Sequence, residues 1–263
     1  MSKETLLAKN NYNFDDLVEI MSILRAPGGC PWDAEQTHQS IRRDLLEETY
    51  ELIEGIDKND PEILREELGD VLLQVVFHAD IADSFTINDV CNDICQKLIV
   101  RHPHVFSDVV VENTENVLSN WDAIKRDTKH QKSDTEALRS VSPAMPALMR
   151  ADKLGKKARK LGFDFDDAEE AMLKVFEEAD EVRDALANRT QEDIEEEFGD
   201  LLLAVVNAAR LAHVDPEQAL YNANEKFLTR FARVEELCLA NGKSVTESTR
   251  EEKELFWQKA KEN

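Results

Sequence analysis

Apolar residues recur every three to four positions along most of this chain, and no stretch sustains an alternation of period two. The pattern predicts helices over about 13–26, 36–58, 61–83, 86–101 and 114–130. It resumes over 145–160, then to 188, over 190–213 and 216–241, and from 248 onward. Punctuation supports these ends. Pro61 and Pro216 each follow an aspartate, an N-cap and first-turn pair. Thr86 with Asp89 and Thr190 with Asp193 have capping-box spacing. Pro and Gly cluster in 26–37, which reads as a loop, as do HPHVFSD and LGFDFDD. Residues 1–11 read as frayed and 131–143 as a linker. The expected fold is all-α, in two tandem helical bundles over 12–130 and 144–263.

Composition agrees and narrows the function. Only 8 Gly and 7 Pro in 263 residues leave few helix breakers. With 42% hydrophobic and 33% charged residues, the chain can fill a core in each half. A formal net charge of −23 repels nucleic acid, so none is expected as a partner. An anionic ligand would need local cations. The apolar runs VLLQVVF and LLLAVVNAARLA are too short to span a bilayer, so no membrane role is expected. Cys30, Cys91, Cys95 and Cys238 form no CxxC, and the start resembles no secretory signal; reduced thiols in the cytoplasm are expected. Cys91 and Cys95 lie one turn apart ahead of His102 and His104, but ordinary helix-face residues are favoured over a zinc site.

An acidic pattern then stands out because it occurs twice. EETYE at 47–51 precedes ELGD at 67–70, and EEADE at 177–181 precedes EFGD at 197–200. Every acidic position recurs 130 residues later. At about 100° per residue, Glu47, Glu48 and Glu51 share a face opposite Leu45, Leu46, Leu52, Ile53 and Ile56. In the second copy Val175, Phe176, Ala179, Val182 and Leu186 oppose Glu177, Glu178 and Glu181. Glu67 and Asp70, like Glu197 and Asp200, sit in helices apolar on most sides, predicting burial all round. Gly69 and Gly199 suggest a close helix approach. Short connections make the two acidic helices of each half antiparallel neighbours, so the carboxylates converge. Convergent carboxylates without His or Cys suit a hard cation, Mg²⁺ or Mn²⁺, and exclude a Glu-x-x-His di-iron site. Mg²⁺ shared with carboxylates commonly carries substrate phosphates.

Cations for such phosphates also recur in order. Lys97 and Arg101 reappear as Lys226 and Arg230, and Trp121 and Lys125 as Trp257 and Lys261. Each Trp could stack on a base or pack in the core; core packing is favoured.

Through these residues the chain resembles the MazG family of nucleoside triphosphate pyrophosphohydrolases. The matching stretches are GGCPWDAEQT, EETYE…ELGD, KLIVRHPHVF and WDAIK, then KLGFDFDD, KVFEEADE…EEEFGD, ANEKFLTRF and FWQKAK. The resemblance implies an all-α homodimer that cleaves nucleoside triphosphates to monophosphates and diphosphate with Mg²⁺. It implies metal ligands at Glu178, Glu181, Glu197 and Asp200, with counterparts Glu48, Glu51, Glu67 and Asp70. It also implies nucleotide contacts at Lys226, Arg230, Trp257 and Lys261.

The halves differ at one position. Lys174, one turn before Glu177 and Glu178, could reach a phosphate; its counterpart is the acid Asp44, beside Arg42 and Arg43. The second half is therefore expected to be the principal catalytic site, with Glu177 as the candidate general base and Lys174 assisting. Three alternatives compete. One is a narrower dUTP, dCTP or modified-nucleotide hydrolase. Another is an acidic helical module that binds a nucleotide or a regulatory protein without catalysis, against which two complete acidic sets argue. The third is a purely structural bundle, which would not need ELGD or EFGD inside apolar helices.

Overall fold

The computed structural model describes residues 3–107 and 133–262. Thirteen helices and no strand occur among these residues, so the fold is all-α. The chain divides into two compact units, Met1–Lys129 and His130–Asn263.

The first unit contains α1 (Lys3–Leu7), α2 (Phe14–Arg25), α3 (Pro31–Glu35), α4 (Arg42–Asp57), α5 (Pro61–Ile81), α6 (Ile87–Arg101) and α7 (Pro103–Phe106). Local chemistry sets their starts. Asn13 and Asp16 close a capping box on α2, and Thr86 and Asp89 close one on α6. Asp60 accepts from the amides of Glu62 and Ile63, with Pro61 at the first position of α5. Met21, Ile41, Val76 and Phe77 form the core that joins α2 to α5.

The second unit contains α8 (Asp134–Arg139), α9 (Ala147–Lys160), α10 (Ala168–Asn188), α11 (Gln191–Leu211), α12 (Pro216–Ala240) and α13 (Arg250–Lys261). Gly162, at φ +78°, ends α9 with the Phe163 amide bonded back to the Ala158 carbonyl. Thr190 and Asp193 box the start of α11, as Thr249 and Glu252 do for α13. Val234, Cys238, Phe256 and Ala260 knit α12 to α13.

Several expected loops contain short helices. α3 interrupts 26–37, because Pro31 suits a first helical turn. Gly29 before it lies so close to the Leu24 carbonyl oxygen that a Cβ would meet it at 2.2 Å. α4 begins at Arg42 rather than near Gln36; residues 38–41 turn first, with Ile41 fully buried. α7 falls in HPHVFSD, and α1 lies within 1–11, held by buried Leu6. α8 lies within 131–143, tied to α9 by Lys157, whose ammonium donates to the Ala137 carbonyl and Ser140 hydroxyl at 2.7 and 2.8 Å. The helix expected over 114–130 lies outside the described residues.

The acidic helices depart further from expectation. Helices α5 and α11 are not buried all round. Leu68, Leu72 and Val75 on α5, and Phe198, Leu202, Leu203 and Val205 on α11, are exposed. On α5 the neighbours α2, α4 and α6 leave this apolar flank bare, and on α11 the neighbours α9, α10 and α12 do the same. The face of α10 is likewise turned from expectation. Ala171, Glu178, Val182 and Ala185 are buried, whereas Phe176 and Leu186 are exposed. Gly69 and Gly199 do not mediate a close approach, since a Cβ at either would meet open space. The tight contact falls at Gly55, where a Cβ would lie 3.0 Å from the Ile63 side chain. Gly55 sits next to the turn, where two short-linked helices are forced closest.

Candidate functional site: two carboxylate clusters

In each unit one helical hairpin carries the acidic residues. Two residues separate α10 from α11 and three separate α4 from α5, so each pair runs antiparallel in contact. Side chains one turn apart on one helix then face side chains one turn apart on the other.

The convergence is real but tighter than five carboxylates. Oxygens of Glu178, Glu197 and Asp200 all lie within 4.8 Å of one another, as do those of Glu48, Glu67 and Asp70. These are the only such groups of three or more His, Cys, Asp or Glu among the described residues. The Cys91, Cys95 and His102 neighbourhood forms none, and all four cysteines are free thiols. Glu51 and Glu181 flank the triads rather than joining them. Burial first, then the neighbouring charges of Glu178 and Glu197, push the Glu181 carboxyl up, against an opposing pull from Lys174. In the first unit burial and then Asp70, Glu51, Glu67 and Glu47 push Glu48 up. Glu67 is pushed up by burial and then by Glu51 and Asp70.

The second cluster is graded: Glu178 is buried, Glu197 half-buried and Asp200 exposed, whereas Glu48, Glu67 and Asp70 are all half-buried. Glu178 is 5% exposed, and its Oε2 is buried with no hydrogen-bond partner. A buried carboxylate oxygen without a donor is costly unless a cation completes it. Glu67 Oε2 in the first unit is buried and unpartnered in the same way. An all-oxygen triad with a vacant lone pair fits a hard divalent cation better than zinc or copper.

Cations from the protein itself border the second cluster. Lys174 Nζ lies 2.6 Å from Glu178 Oε1 and 2.8 Å from Glu177 Oε1. These bonds, Glu177 first, hold the Lys174 ammonium above the usual lysine range. The Glu177 side chain is exposed. Arg189, between α10 and α11, donates to Glu197. Arg189 escaped the sequence reading; its signal was a basic residue in the turn joining two acidic helices. In the first unit Asp44 and Asn59 take the places of Lys174 and Arg189, and among the described residues no Lys or Arg pairs with Glu48, Glu67 or Asp70. Arg42 and Arg43 pair with none of the acids there.

The other expected contacts lie on separate elements. Lys226 and Arg230 project from α12, and Trp257 and Lys261 from α13. None bonds to the acidic triad. Trp257 packs against the α12–α13 core, 5.5 Å ring to ring from Phe227, with Lys261 Nζ 6.0 Å from its centroid. An open cleft of about 390 Å³ lies beside it, lined by Phe227, Phe231, Arg250 and Lys253 among others. Phe227 and Phe231, one turn apart next to Lys226 and Arg230, were not singled out from sequence. In the first unit Lys97 and Arg101 lie on α6, whereas Trp121 and Lys125 lie outside the described residues.

Comparison with known proteins places this geometry. The MazG nucleotide pyrophosphohydrolase domain matches residues 36–106 and 159–234, segments that include both acidic hairpins. A Thermotoga maritima protein named nucleoside triphosphate pyrophosphohydrolase/pyrophosphatase MazG is 44% identical, over 94% of this chain and 95% of its own. An Escherichia coli K12 protein named nucleoside triphosphate pyrophosphohydrolase is 45% identical, over 94% and 96%. Bacillus subtilis YabN is 44% identical over 95% of this chain but only 52% of its own length. With both carboxylate hairpins inside the matched segments, the chain belongs to the MazG nucleotide pyrophosphohydrolase family.

Proposed function

We propose that this chain is a nucleoside triphosphate pyrophosphohydrolase that releases a nucleoside monophosphate and diphosphate, with its principal catalytic site in the second unit. The observation that carries the reading is Glu178, 5% exposed with one oxygen unpartnered amid Glu197 and Asp200. Nothing in a purely structural hairpin calls for that arrangement. Glu178, Glu181, Glu197 and Asp200 would hold Mg²⁺, for which Mn²⁺ could substitute; Glu48, Glu51, Glu67 and Asp70 are the corresponding first-unit set. The cation supplies charge neutralisation at the triphosphate.

The protein's own groups do the rest. Lys226, Arg230 and Lys261 are the expected partners of phosphate oxygens, and Trp257 of the nucleoside. Glu177, exposed and outside the triad, orients a water and accepts its proton. The water oxygen attacks the α-phosphorus as the bond to the bridging oxygen breaks, and diphosphate departs with that oxygen. Lys174 stands where its charge can pass from Glu177 and Glu178 to the substrate. The first unit has Asp44 in its place, which repels a triphosphate.

The apolar flanks left bare on α5 and α11 support a homodimer. Residues 12–130 and 144–263 are taken as two MazG-like domains joined by 131–143. A net charge of −23 speaks against nucleic acid as a partner. No helix among the described residues is long and apolar enough to cross a membrane, and four free cysteines suit the cytoplasm.

Separate substitutions test the assignment. Glu178→Gln is expected to lower kcat/KM for diphosphate release at least about 100-fold, the scale of one essential electrostatic contact. Glu48→Gln is expected to leave most of the activity. The reverse ranking across a panel of canonical and modified nucleotides overturns the assignment, and turnover of no nucleotide favours a regulatory module.

A further inference from the structure

The second carboxylate cluster is already half neutralised by the chain. The Lys174 ammonium sits 2.6 Å from Glu178 Oε1, while Oε2 of the same buried carboxylate has no partner. Arg189 covers Glu197 from the turn. A cation entering among Glu178, Glu197 and Asp200 must therefore share Glu178 with an ammonium or replace it. Two cations on one carboxylate repel at such distances, and the repulsion is strong where water is excluded. Lys174 is not buried: its side chain is 37% exposed, so it is free to swing outward.

We propose that Lys174 is an internal placeholder for the divalent cation. It occupies Glu178 in the resting protein, weakens cation binding there, and leaves when a triphosphate offers its own oxygens. Cation and nucleotide binding at this site are then coupled, each strengthening the other by the same factor. In the first unit Asp44 stands in the lysine's position, so no such coupling through this position exists there. The inference rests on the proposed metal site, and it goes further by assigning Lys174 a role before any substrate arrives.

Mn²⁺ titration of the full chain, read by loss of the free-ion electron paramagnetic resonance signal, tests the proposal without turnover. The second-unit site is identified as the one that Glu178→Gln removes. Lys174→Met is expected to tighten that site about tenfold without nucleotide, within the usual range of site coupling. Lys174→Arg keeps a cation on Glu178 and is expected to leave the site weak, which a merely structural lysine would not predict. An α,β-methylene triphosphate is expected to tighten Mn²⁺ by a larger factor in the unaltered protein than in K174M. Equal Mn²⁺ affinity in the unaltered and K174M proteins overturns the placeholder alone. Absence of Mn²⁺ binding in both overturns it together with the metal site. A measurement on the unaltered protein guards against misfolded variants. The ¹⁵N-lysine ammonium resonance of Lys174 is expected to shift as Mg²⁺ saturates the second-unit site. A resonance that stays unmoved at saturation sinks the proposal.

Discussion

At the residue scale, one buried ion pair shows how the two units solve the same problem with opposite charges. Arg210 on α11 donates through both terminal nitrogens to Asp164, at 2.5 and 3.0 Å, with the arginine 7% exposed. A Cβ on Gly155 would lie 2.6 Å from Arg210 Nε, so glycine makes room for the guanidinium. In the first unit, 130 residues earlier, Arg25 stands at the Gly155 position and Asp80 at the Arg210 position; the two pair at 2.8 Å. The charge has changed helices while the link between elements survives. The Arg210 hydrogen bonds above all hold the Asp164 carboxyl below the usual aspartate range. A depressed carboxylate stabilises the fold above its unfolded pKa, about 3.9, and loses that contribution as pH falls through the lower folded value. Asp164→Asn leaves a buried guanidinium without its counter-ion, a change that costs on the order of 3 kcal/mol. The gap in melting temperature between Asp164→Asn and the unaltered protein should stay flat from pH 8 to about 5 and narrow below about 4. A gap independent of pH down to 3 contradicts this role. No periodicity disclosed the pair, because its partners lie 46 residues apart.

At the scale of elements, helix starts were legible because they are local chemistry. The Asp–Pro starts and the Thr-x-x-Asp boxes need only three or four neighbouring residues to form. Thr190 matters most for the site, since the α11 it opens carries Glu197 and Asp200. Thr190→Ala removes the hydroxyl that accepts from the Asp193 amide and should cost about 1 kcal/mol. Denaturant unfolding with an unchanged m-value would read this out. A loss indistinguishable from zero would mean that packing, not the cap, sets where α11 begins. Short helices such as α3, α7 and α8 were not legible. Four to six residues carry too little periodicity to register, and their stability comes from neighbours. The α8 helix is an example, fastened by Lys157 from 20 residues away.

At the scale of the whole molecule, exposed apolar flanks carry a quantitative expectation. Phe198, Leu202, Leu203 and Val205 are each 44% exposed or more on α11, an unusual face to leave in water. Sedimentation equilibrium should give twice the 30.0 kDa chain mass, and Leu202→Asp should shift the distribution toward the single chain. A single-chain mass for the unaltered protein removes the homodimer. The sequence by itself determined the helical class, the doubled order of acidic and basic elements, and the residue types suited to a hard cation. These follow from periodicity and spacing, which act over a few turns of one helix. Only the tertiary structure decided which three carboxylates of each five meet. It also showed that Glu178 and not Glu177 is the buried one, and that Lys174 and Arg189 already rest on the second cluster. Those outcomes depend on how far one helix is rotated against its hairpin partner. A rotation by one residue, about 100°, exchanges a buried carboxylate for an exposed one without altering any pattern along the chain.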